Sequence, residues 1–142
     1  MKNSVLLLVS IVMFSCETKS QNSNENDVKS ALTSYVKAGD TNDVKMLRDF
    51  LHSNFRVSLY DGEKDSLSIL DKSIYENFIE TKKFGGYKRA IKFENIQFIG
   101  ENMVTVKVTL TSPGKPTLKN FYSLVKTKGK WRVFQDFVTL IP

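Results

Sequence analysis

Two patterns in this 142-residue chain predict an α+β fold, with three early helices packed on a curved antiparallel sheet. Between Asp27 and Gly86, apolar side chains recur three times at helical spacing. From Lys88 onward they alternate with polar ones at the two-residue period of strands. Helices grouped ahead of a run of strands joined by tight turns are expected to layer on one side of a sheet.

The first sixteen residues stand apart from this pattern. Lys2 supplies a positive start, Val5 to Phe14 is apolar apart from Ser10, and the small Ser15 precedes Cys16. That apolar run is about ten residues, short of the roughly 20 that a helix needs to span a bilayer. It resembles a bacterial lipoprotein signal with a relaxed lipobox, Val-Met-Phe-Ser-Cys. Residues 1–15 are therefore expected to be a signal peptide and Cys16 a lipidation site. Cys16 is also the chain's sole cysteine, which excludes an internal disulfide and a cysteine zinc cluster. The implied location is a bacterial cell envelope, lipid-anchored and facing the periplasm or outer membrane. Residues 17–26, ETKSQNSNEN, carry no apolar side chain, so 16–26 is expected to be a flexible tether and 27–142 the folded domain.

Within the domain, Val28, Ala31, Leu32, Tyr35 and Val36 mark a first helix that Gly39 should stop. Thr41 or Asn42 should cap a second, with Val44, Met46, Leu47, Phe50 and Leu51 as its buried stripe. Phe55, Val57 and Leu59 alternate with Arg56, Ser58 and Tyr60 in a strand, which Asp61-Gly62 turns into a short partner around Leu67, Ile69 and Leu70. Asp71 caps a third helix, with Ile74, Tyr75, Phe78 and Ile79 on one face and Gly85-Gly86 beyond it. Four strands follow, Lys88 to Phe98, Met103 to Ser112, Thr117 to Lys126 and Lys130 to Ile141. In the last, Trp131, Val133 and Phe137 are expected on one face and Phe134, Asp136 and Val138 on the other, so both sides of a curled sheet should be covered in places.

Charge narrows the function. The chain carries 21 Lys and Arg against 15 Asp and Glu, a net +6. The lysines are scattered and only Arg48, Arg56, Arg89 and Arg132 represent arginine, which argues against a nucleic-acid surface. One histidine, one cysteine and dispersed acids argue against a metal centre. Gly85-Gly86 lacks the spacing of a phosphate loop, and no cofactor is expected.

Three short stretches carry a family resemblance: Tyr35 to Gly39 followed by Asp43 to Leu47, then Leu51-His52-Ser53-Asn54-Phe55-Arg56-Val57, then Gly129-Lys130-Trp131-Arg132-Val133. In this order the chain from Val28 onward resembles the cone-like nuclear transport factor 2-like superfamily, in its putative lumazine-binding or SnoaL-like branch. The resemblance implies an apolar pocket between curved sheet and helices. It makes His52, Phe55, Tyr60, Phe78, Tyr122, Trp131, Phe134 and Asp136 candidates to line that pocket or its mouth. The branch's name implies a lumazine ligand.

The expected function is a membrane-tethered, non-catalytic domain that binds a small apolar or aromatic molecule. The resemblance implies an isomerase or cyclase as the alternative, with His52 or Asp136 as base and Tyr60 or Tyr122 as donor. His52 also suits a structural place near a helix end, and Asp136 could pair with Arg132 as ordinary sheet decoration. A third reading is an interaction module that forms a homodimer through its sheet.

Overall fold

The computed structural model describes residues 16–141, with side chains from residue 23 onward. The expected signal peptide, residues 1–15, lies outside the described residues. The elements follow the predicted order: α1 (Cys16–Asp40), α2 (Val44–Phe50), β1 (Leu51–Asp61), β2 (Ser66–Asp71), α3 (Lys72–Glu80), β3 (Ala90–Ile99), β4 (Met103–Thr111), β5 (Thr117–Thr127) and β6 (Lys130–Ile141).

Three local expectations are corrected. Helix α1 is continuous from Cys16, so the backbone expected as coil over 16–26 is helical. No Gly or Pro interrupts it before Gly39, and Glu25 pairs with Lys29 one turn on at 2.6 Å. Asn24 Oδ1 also accepts a bond from Lys126 Nζ of β5 at 3.3 Å. Once Val28, Leu32 and Val36 are buried, extending the helix backwards adds one bond per residue fixed. Second, α2 is capped by Asp43, whose Oδ1 accepts from Met46 N at 2.9 Å. Asn42 instead takes φ 53°, a left-handed turn that Asn tolerates, between the two helices. Third, α2 is shorter than expected, and Leu51 and His52 open β1. Asp71 caps α3 as expected, accepting from Ile74 N at 2.9 Å.

The six strands form one sheet in the order β2-β1-β6-β5-β4-β3. All neighbours are antiparallel except β1 and β6, which run parallel, so the expected antiparallel sheet is mixed. Alternation reports a strand's period and not its direction, which is why the sequence could not reveal this pairing.

A bulge in β6 corrects the predicted faces. Gln135 pairs with Ser123 and Val133 with Leu124, leaving Phe134 as the extra residue. One inserted residue reverses the alternation. Trp131 and Val133 before it therefore share the inner face with Asp136 and Val138 after it, and all four are buried. Phe137 and Gln135 go to the outer face, where Gln135 Nε2 bonds Ser58 Oγ at 3.4 Å. A second bulge at Glu94 does the same in β3, keeping Ile91, Phe93, Ile96 and Phe98 on the inner side.

The helices pack against this inner face. Val104, Val106, Val108 and Leu110 of β4 are at most 1 % exposed, as their spacing predicted, and meet Leu32, Leu47, Phe55 and Leu124 in the core. Each large side chain so buried contributes roughly 1.5–3 kcal/mol.

Candidate functional site

The inner layer does not fill completely. A cavity of about 370 Å³ opens between α1, α3 and the β1, β6 and β5 part of the sheet. Val57 and Leu59 of β1, Leu118 of β5, and Val138 and Leu140 of β6 give it apolar walls. Its polar end is set by register: Tyr122 stands opposite Asp136, and Asn120 opposite Val138, on adjacent strands.

Asp136 is 4 % exposed. Its Oδ1 accepts from Asn120 Nδ2 at 2.8 Å, and its Oδ2 is 3.3 Å from the Tyr35 hydroxyl, which itself lies 3.0 Å from that of Tyr75. A hydroxyl has one proton to give. Tyr35 can donate to the carboxylate while accepting from Tyr75, so a tyrosine relay ends on Asp136. Burial pushes the Asp136 carboxyl up to about 7, and the bonds from Asn120 and Tyr35 only partly offset that. Burial, then the nearby Asp136, pushes Tyr75 up to about 12. Tyr35 and Tyr122 are raised by burial too, so all three phenols remain protonated near neutrality. Asn120 Oδ1 is buried with no hydrogen-bond partner.

The mouth is built by the loop after α3 and the β4–β5 turn. Lys82, Lys83, Phe84, Gly85, Tyr87 and Arg89 come from the first and Lys115 from the second. That loop is fastened to the end of α1. Asn42 Nδ2 donates to the carbonyls of Ile79 and Phe84, both at 2.8 Å, and Gly86 N donates to Gly39 O at 3.1 Å. Arg89 donates through Nε to Asp40 Oδ1 at 2.5 Å and through its guanidinium to Val36 O at 3.2 Å. Gly85 has φ 72°, and a Cβ there would fall 2.0 Å from Gly39 O. Only glycine fits this approach.

Of the residues named from the sequence, the structure brings Tyr122 and Asp136 to the cavity. Phe55, 1 % exposed, lies behind the wall with its ring 6.2 Å from Tyr35 and 5.2 Å from Tyr75. Phe78 is half-buried against Phe84 of the mouth, ring centroids 5.1 Å apart. The other four are elsewhere. His52 is a half-buried β1 residue whose Nδ1 accepts from Asn54 N at 3.2 Å. Tyr60 is exposed and donates to Asp65 Oδ1 at 2.9 Å at the hairpin end. Trp131 packs on Phe98, and Phe134 occupies the bulge. Arg132 is not among the Asp136 partners, because the bulge puts them out of phase.

Sequence reasoning missed Tyr35, Tyr75 and Asn120 as site residues. Asn120 had a signal, a polar residue in phase with Leu118, Tyr122 and Leu124 on the buried face of its strand. The tyrosines had none, because their spacing is that of any core-facing helix residue. Among the described residues there is no cluster of potential metal ligands, and no helix is long and apolar enough to cross a membrane.

A family model described as putative lumazine-binding matches residues 23–138. No curated protein matches the chain. Solved structures do. A nuclear transport factor 2-like protein of unknown function from Shewanella baltica is similar over 85% of this chain and 96% of its own, at 16% identity and TM-score 0.72. Another from Silicibacter pomeroyi is similar over 84% and 98%, at 12% identity and TM-score 0.71. A protein of Novosphingobium aromaticivorans described as a putative scytalone dehydratase is similar over 88% and 89%, at 15% identity and TM-score 0.66. At these identities the likeness is one of fold. Because the family match spans most of the chain and the architecture agrees, this chain belongs to the putative lumazine-binding family, on the nuclear transport factor 2-like α+β fold.

Proposed function

We propose that this chain is a non-catalytic binding domain whose cavity holds a small apolar or aromatic molecule. The observation that carries this is an apolar-walled cavity ending in a buried, convergent polar pair, Asp136 and Asn120, with Asn120 Oδ1 unpartnered. Few well-placed polar groups among apolar walls is how small-molecule sites are built. Thermal-shift screening of the full chain against pterin and flavin precursors, sterols, fatty acids and aromatic acids tests it. A ligand at a hundredfold its Kd should stabilise the fold by about 2.7 kcal/mol. Val138→Trp, which fills the cavity, should remove that gain. No stabilisation by any class refutes the reading.

The domain is proposed to act at a bacterial envelope, tethered by a lipid on Cys16, on the strength of the apolar run and the lone cysteine that follows it. Two lipid chains would hold it there stably. Palmitate label should enter the chain in cells and be absent from Cys16→Ser. A homodimer through the outer sheet face is part of the same proposal.

A second reading, acid–base catalysis of the isomerase or cyclase type, is favoured by one observation. Asp136 faces the cavity with its carboxyl near 7, where a group can both take and give a proton. It requires a pH–rate profile with an inflection near 7 that Asp136→Asn abolishes. His52 has no part in it, since it does not line the cavity.

A further inference from the structure

The two ends of the cavity make opposite demands on an occupant. At the inner end, Asn120 Oδ1 is an acceptor with no donor, and a buried carbonyl left unpaired costs about 1–3 kcal/mol. Whatever fills the cavity should therefore bring an O–H or N–H to that end.

At the mouth the charge is positive and unopposed. Arg89 is neutralised by Asp40, but Lys82, Lys83 and Lys115 have no acidic partner among the described residues. Two of these ammonium groups are held over aromatic rings, Lys83 Nζ 3.8 Å from the Phe78 centroid and Lys115 Nζ 5.1 Å from that of Tyr87. A cation resting on a ring is positioned without being discharged. Lys82 sits at φ 59° just past the end of α3, where glycine is the usual residue and a side chain costs about 1–2 kcal/mol. A lysine there accepts backbone strain to put a cation at the rim. Three cations around one opening, two of them held over rings, call for an anion.

The geometry points to an aromatic acid as the ligand: a hydroxyl or amino group toward Asn120 and Asp136, a flat apolar body between Val57, Leu59, Leu118 and Val138, and a carboxylate or comparable anion among Lys82, Lys83 and Lys115. This rests on the binding reading above and gives it a substrate class. It separates that class from neutral ring systems, which leave the lysines unanswered, and from fatty acids, which leave Asn120 unanswered.

Calorimetric titration of the full chain with para-hydroxycinnamate, its methyl ester and para-methoxycinnamate tests it. The ester keeps the donor and loses the charge; the ether does the reverse. Each should bind about tenfold more weakly than the parent acid, the loss expected for one charge-assisted or buried hydrogen bond. Lys82→Gln, Lys83→Gln and Lys115→Gln together should erase the preference for acid over ester, while Lys45→Gln on α2 should leave it. Raised salt should weaken the acid and not the ester. These lysines are exposed, so the variants keep the fold. Acid and ester binding equally, or a sterol or fatty acid binding where the acid does not, overturns this inference and leaves a binding cavity standing. Failure of all probe classes, with Val138→Trp behaving as the parent chain, overturns the binding reading with it.

Discussion

Asp136 is the residue on which the site's chemistry and the fold's stability meet. An unfolded carboxyl titrates near 3.8, whereas this one is pushed up to about 7 by burial. Between those values the folded chain holds a proton that the unfolded chain has released, so stability falls as pH rises through the interval. The group's contribution is fully present below about pH 4 and lost by about pH 7, a change on the order of 4 kcal/mol at 1.36 kcal/mol per unit. Asp61, Asp71 and Glu94 work the other way, because hydrogen bonds hold their carboxyls below the ordinary range, but their effect is confined to acid solution. The window from pH 5 to 8 therefore reports Asp136. Urea midpoints should fall across it in the parent chain and stay level in Asp136→Asn, which keeps an oxygen for the Asn120 Nδ2 bond and has no carboxyl to titrate. An unchanged slope in the variant contradicts the assignment. Asp136 was legible beforehand because a carboxylate kept company with Val138 and Leu140 at strand spacing. His52 was misleading because being the sole histidine says nothing about where a strand points it.

At the scale of elements, the legible features were those encoded within a few neighbouring residues. The cap of α3 at Asp71, the alternating face of β4, and the β5–β6 turn with Lys128 and Gly129 both at positive φ are of this kind. What stayed hidden depends on partners far along the chain. Arg89 meets Asp40 across 49 residues, and nothing local to either foretells it. The bulge at Phe134 is set by the register of β5, yet it decides which half of β6 faces the cavity. The loop that forms the mouth offers the sharpest test at this scale. In Gly85→Ala a methyl would have to occupy space held by the Gly39 carbonyl at a backbone angle that alanine disfavours. The loop must lift from α1, and stability should drop by about 2–4 kcal/mol, read as a lower thermal midpoint. Lys82 and Lys83 would move with it, so affinity for any cavity ligand should fall as well. An alanine variant as stable as the parent chain would mean that the loop is not clamped there.

The whole molecule sets a hollow, polar-ended inner face against an outer face that exposes large apolar side chains along one row. Across the sheet the register aligns Ile69, Ser58, Phe137, Phe121 and Lys107, with Leu67 and Tyr60 in the next row. Phe121 and Phe137 are 43% and 48% exposed, with rings 6.4 Å apart, and Ile69 and Leu67 are each 63% exposed. Scattered apolar side chains are normal on a surface, but here Phe137 and Phe121 stand side by side, with Ile69 beyond Ser58 in the same row, which makes this face the one to test for a partner. A second copy is the simplest cover, because two-fold symmetry lets the same row meet itself. Light scattering on the full chain should then give twice its 16.2 kDa mass at micromolar concentration. Phe121→Lys with Phe137→Lys should give the single-chain mass, since four lysines would face one another across the axis. Both side chains lie outside the core, so the circular dichroism spectrum and the cavity's ligand response should survive the change. A parent chain that scatters as one copy excludes this use of the face. A double variant that loses the ligand while becoming monomeric would instead couple the two faces, placing dimerisation upstream of binding.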